Sequence, residues 1–176
     1  MTITLDVKFE GAQKTEEIKI SDTKHIILRD RGIRWIDLSP LKNCNDLVEL
    51  ELHQNAFETI DLSPLSSCIE LSYLSLSTND LYEIDLAPLS SCKNLNELVI
   101  HRNGLTEIDL NPLSSCENLY KLGLGENALK SIDLTPLSSC TELKELWLRT
   151  NQLESIDLSP LASCTNSKHC IFLKID

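Results

Sequence analysis

The sequence predicts a right-handed α/β solenoid with one parallel sheet, and three observations predict it. Pro40, Pro64, Pro88, Pro112, Pro136 and Pro160 stand 24 residues apart, as do Cys44, Cys68, Cys92, Cys116, Cys140 and Cys164. Asn55, Asn79, Asn103, Asn127 and Asn151 keep the same step. Aromatic residues make up only 5% of the 176 residues, and the apolar residues are mostly leucine and isoleucine, a bias expected of a repeat.

Each unit carries two local patterns. Leu50 and Leu52 alternate with Glu49, Glu51 and His53, the period of a short strand with one buried face. At Ser63-Pro64 the pattern changes. Serine suits a helix N-cap and proline the first helical position, and Leu65, Cys68 and Leu71 then recur at helix-like spacing. A short helix or 3₁₀ turn is therefore expected in every unit. Stacking the units sets the strands side by side at about 4.8 Å, with the sheet concave and the helical turns on the wider, convex side.

One unit reads Leu47-x-x-Leu50-x-Leu52-x-x-Asn55-x-Phe57. This resembles the leucine-rich repeat family, whose signature L-x-x-L-x-L-x-x-N-x-L is met in five full units, with the resemblance covering residues 23–173. Such repeats often accompany GTPase, kinase or ligase domains, and nothing in these residues selects among them.

A solenoid needs its open ends covered. Ile3, Leu5, Val7 and Phe9 alternate with polar residues, a turn follows at Gly11-Ala12-Gln13-Lys14, and Ile18 and Ile20 alternate again. A β-hairpin cap over 1–22 is expected. Repeats should then occupy 23–166, the first of them degenerate because Arg31 replaces the asparagine. Residues 167–176 read as a truncated terminal repeat or cap strand, with Ser167, Cys170 and Phe172 at the three leucine positions.

The uniform columns read as structure. Asparagine offers both donors and an acceptor to the backbone groups freed where the chain bends after each strand. The cysteines, Cys68, Cys92, Cys116 and Cys140 among them, read as reduced thiols buried in the core. Parallel columnar neighbours are poor geometry for a disulfide, and no C-x-x-C metal spacing occurs. Unbridged thiols favour a cytoplasmic setting. The aspartate column, with Asp61, Asp85, Asp109 and Asp133, is expected to accept bonds from the turn two residues ahead. Cation binding by stacked carboxylates is its weaker alternative.

Binding is expected where the repeat varies. The outward strand positions run Ile27, Glu51, Ser75, Val99, Gly123, Trp147, Ile171 and, two residues on, Arg29, His53, Ser77, His101, Gly125, Arg149, Leu173. Gly123 and Gly125 should open a shallow groove between Val99, His101, Trp147 and Arg149. Trp147, Arg149, Arg102 and Tyr73 are the first candidates to bind a protein or peptide, with His101 and Lys121 at the edge.

Other functions find little footing. A net charge of -11 opposes binding to nucleic acid or to an anionic membrane surface. Met1-Thr2-Ile3-Thr4-Leu5-Asp6 lacks a basic flank followed by an apolar stretch, so no secretory signal is expected. His25, His53, His101 and His169 come from non-adjacent strands, and neither a phosphate loop nor an H-E-x-x-H motif occurs. No catalytic residue or cofactor is expected. A monomer is expected, the alternative being a self-associating scaffold, or the repeat region of a larger signalling protein, pairing through the apolar edge Cys170-Ile171-Phe172-Leu173.

Overall fold

A computed structural model describes residues 2–166 and 172–174 of the chain. Two sheets build it. The larger has seven parallel strands laid down in chain order: β3 (His25–Ile27), β5 (Glu49–Glu51), β6 (Tyr73–Ser75), β7 (Glu97–Val99), β8 (Lys121–Gly123), β9 (Glu145–Trp147) and β10 (Phe172–Lys174). From β5 to β9 the register advances by one repeat per strand, so that Leu50, Leu74, Leu98, Leu122 and Leu146 stand opposite one another. All five are fully buried, each contributing about 1.5–3 kcal/mol of burial.

The smaller sheet is the N-terminal cap. β1 (Ile3–Phe9) and β2 (Glu16–Ile20) form the expected antiparallel hairpin. Unexpected from the repeat pattern, β4 (Ile33–Ile36), on the first coil, adds a third strand antiparallel to β1 across an irregularity at Lys8/Phe9. Ile3, Leu5 and Val7 are buried against Ile33 and Ile36, which covers the end of the core.

The convex turns are five-residue 3₁₀ helices, Ser63–Ser67 being one. Their capping corrects the sequence reading. Serine is not the N-cap: the helix starts on it, Leu62 precedes it, and no side chain caps the helix at Leu62. The aspartate one residue earlier does the work instead. Asp61 Oδ1 accepts the Ser63 N–H at 2.8 Å, and Asp37, Asp85, Asp109, Asp133 and Asp157 accept the equivalent N–H in their own coils. The reason is geometric, since an Asx turn reaches the N–H two residues ahead. These backbone bonds at Asp61 and Asp157, and at Asp133 the Thr135 side chain followed by its backbone bond, hold the three carboxyls below the usual carboxylate range. Among the described residues no group of three His, Cys, Asp or Glu is placed to hold a metal ion.

Each asparagine bridges two coils. Asn127 Nδ2 donates to Leu124 O in its own coil and to Ile100 O in the preceding one, both at 3.0 Å, while its Oδ1 accepts the Leu105 N–H at 3.2 Å. Asn55, Asn79, Asn103 and Asn151 repeat the pattern. The residue before each of these asparagines, and Asp30 in the first coil, lies in the left-handed region, at φ 55–57° for Asp30, Gln54, Thr78, Arg102, Glu126 and Thr150. No glycine marks this bend, so the sequence concealed it.

The thiols of Cys68, Cys92, Cys116 and Cys140 are buried and donate to the carbonyl of a leucine one coil back, Cys92 to Leu65 O at 3.4 Å for example. Burial pushes Cys68 and Cys116 up to about 11 and Cys92 up to about 12.

The C-terminal register departs from expectation. The last 3₁₀ helix runs Ser159–Asn166, three residues longer than the others, and the following strand is displaced by the same amount. Leu173 therefore pairs with Leu146 and Lys174 with Trp147, where a 24-residue step would have placed Cys170 and Ile171. Ser167, Cys170 and Ile171 lie outside the described residues.

Three outcomes follow. Asn127→Ala strands two carbonyls and an amide, and should lower the unfolding free energy by about 2–4 kcal/mol in urea titration. Thr78→Asn relieves a β-branched residue at positive φ and should raise it by about 0.5–1 kcal/mol. Native protein at pH 8 should leave Cys68, Cys92 and Cys116 unreacted with a thiol reagent that labels them at once in denaturant.

Candidate functional site

The parallel register turns each strand position into a row across the concave face. Along one edge the row is Glu49, Tyr73, Glu97, Lys121, Glu145, and along the middle Glu51, Ser75, Val99, Gly123, Trp147. Beyond the strands come Arg29, His53, Ser77, His101, Gly125 and Arg149, a row with two arginines, two histidines and no carboxylate. The face is thus acidic along one edge and basic along the other.

A groove of about 430 Å³ crosses this face. It brings together five sequence candidates, Tyr73, His101, Arg102, Lys121 and Trp147. Val99 and five residues not singled out from sequence, His53, Gln54, Ser75, Ser77 and Thr78, complete it. His53, Ser75 and Ser77 occupy the same outward rows, which was the available signal, while Gln54 and Thr78 sit one residue beyond them on the left-handed bend. Ser75 and Ser77 are buried and form its floor, and Ser77 Oγ donates to Val99 O at 3.1 Å.

The expected opening at the glycines is not where the groove lies. A Cβ on Gly123 would meet Val99 Cγ1 at 3.0 Å, and one on Gly125 would meet Arg149 O at 3.1 Å and Arg149 Cγ at 3.3 Å. Neighbouring side chains lean into the space that the missing ones leave, so both glycines are buried and the groove opens over the serines instead. Arg149 and Gly125 border only a small indentation of about 30 Å³, shared with His101, Glu126 and Trp147.

Two charge clusters stiffen the walls. Lys121 Nζ stands 4.4 Å from the centroid of the Trp147 ring, 3.7 Å from Glu97 and 4.0 Å from Glu145. This fixes the indole by a cation–π contact. Opposite, Glu126 lies between two arginines, with Arg102 Nε donating to Oε2 at 2.6 Å and Arg149 Nη2 to Oε1 at 3.2 Å. The Arg102 bond is the main reason its carboxyl sits below the usual range. At the far end Glu51 approaches Arg29 at 3.2 Å and His53 at 3.7 Å. Burial raises the Glu49 carboxyl, and its hydrogen bond with Glu51 raises it further.

His101 has one enclosed ring nitrogen. Its Nδ1 is shielded from solvent and meets no hydrogen-bond partner. A proton there would be a buried donor without an acceptor, so the neutral ring carries its proton on Nε2. Burial, aided by Arg102, Arg149 and Lys121 against Glu126, depresses the His101 pKa.

Comparison with known proteins bears on the whole architecture. A family model described as BspA type leucine rich repeat region (6 copies) matches residues 6–102, and a leucine rich repeat model matches residues 93–153. Among solved structures, an internalin (inlF) from Listeria monocytogenes is similar, with 31% identity and a TM-score of 0.63, over 80% of this chain and 37% of that one. An internalin C2 (inlC2) from the same organism shows 30% identity and a TM-score of 0.58, over 80% of this chain and 66% of that one. The chain thus spans less than two thirds of either. No curated protein matches it in sequence. With its 24-residue motif stacked in register and one family model covering more than half its length, the chain belongs to the leucine-rich repeat family.

Proposed function

We propose that this chain is a non-enzymatic interaction module that takes a protein or peptide segment on its concave face. Its being a protein-interaction repeat domain is supported by the family and by the internalin-like neighbours. The groove itself supports binding on the concave face, because it lies where the repeat varies and gathers Tyr73, His101, Arg102 and Trp147 at its walls. Aromatic and arginine side chains beside a desolvated floor are the usual anchors of protein recognition. Among the described residues no helix is long and apolar enough to cross a membrane. The buried, unbridged thiols support a reducing compartment such as the cytoplasm.

Affinity capture from lysate of the source organism tests the reading. Wild-type protein should retain a partner that Trp147→Ala loses by at least about tenfold, with both proteins melting at the same temperature to within a few degrees. Equal capture by a folded Trp147→Ala variant would move the site off the concave groove.

A further inference from the structure

Resting on that reading of the groove, we infer that its basic side is a subsite for a carboxylate side chain, so that the partner is an acidic peptide segment presenting Asp or Glu next to an apolar residue. Three observations place it between His101 and Arg102. His101 offers a neutral Nε2–H, because its Nδ1 is enclosed without a partner, leaving Nε2 as the nitrogen with access to the groove that the ring lines. Arg102, which is largely exposed and lines the same groove, donates only Nε to Glu126, leaving both terminal nitrogens for a further acceptor. Glu126 is shared with Arg149, so one carboxylate faces two guanidinium groups and the cluster keeps a surplus positive charge. A carboxylate accepts such donors in charge-assisted bonds, roughly twice as strong as neutral ones.

The surroundings narrow the ligand further. The chain carries 27 acidic against 16 basic residues, and Glu97 and Glu145 flank Lys121 on the other wall. A polyanion such as nucleic acid would meet these carboxylates on every side, whereas a single acidic side chain touches only the basic row. Val99 and Trp147, which also line the groove, supply an apolar shoulder for the neighbouring residue.

The repeat provides substitutions that its own fold accepts. Position 101 is serine one coil earlier, at Ser77, and position 102 is glutamine two coils earlier, at Gln54, in the same left-handed conformation. Selection of a phage-displayed random dodecapeptide library against the full chain, with the variants as counter-targets, tests the inference. Wild type should enrich Asp- or Glu-containing sequences. The synthetic peptides should bind about tenfold more weakly to His101→Ser and to Arg102→Gln, weaken as salt rises, and lose affinity when their acid becomes the amide. Sequences without acids that still depend on Trp147 would overturn the carboxylate subsite and leave the concave groove standing. Peptides that bind Trp147→Ala as well as wild type, or a library that yields no binder, would overturn both.

Discussion

From the second coil to the sixth, each coil is fastened to the one before it by an asparagine amide. The bend that follows each strand takes backbone carbonyls and an N–H out of the sheet ladder inside an apolar stack, where an unpaired group costs about 1–3 kcal/mol. A single Nδ2 satisfies carbonyls in two successive coils while Oδ1 takes the N–H of the preceding coil. That arrangement ties successive coils together at the bend, where the preceding residue lies at positive φ, and so holds the strands whose outer faces form the groove. The leucines supply the burial, but burial alone does not fix a register.

The left-handed column links scaffold to site. Arg102 and Glu126 occupy it, and the bend holds them on neighbouring coils, where they form the shortest ion pair of the groove wall. A position that is structural in its backbone is thus free to vary in its side chain. The convex side works oppositely. There the Asp-x-Ser/Thr/Ala/Asn-Pro turn uses its side chain to start each 3₁₀ helix, and its sequence hardly changes from coil to coil.

Cap and terminus show how firmly the repeat period governs the chain and where it gives way. β4 answers to the hairpin rather than to the stack, pairing antiparallel with β1 because the first coil has no preceding coil to satisfy its backbone. At the other end, three more residues of 3₁₀ helix carry the final strand three positions out of the 24-residue step, yet Leu173 still meets Leu146.

Periodicity is a one-dimensional signal, and it was sufficient for what depends on one dimension: the period, the parallel stacking of strands, the inward leucines and the hairpin over the first coil. It also singled out Tyr73, His101, Arg102, Lys121 and Trp147 as binding candidates, and residues one period apart become lateral neighbours in a parallel sheet. What happens between rows required three dimensions. Only the packed structure shows Val99 and Arg149 filling the space beside the glycines, the groove opening over Ser75 and Ser77, and the 3₁₀ turns starting without a serine N-cap. Side-chain volume and backbone φ decide these features, and neither is written in the spacing of residue types.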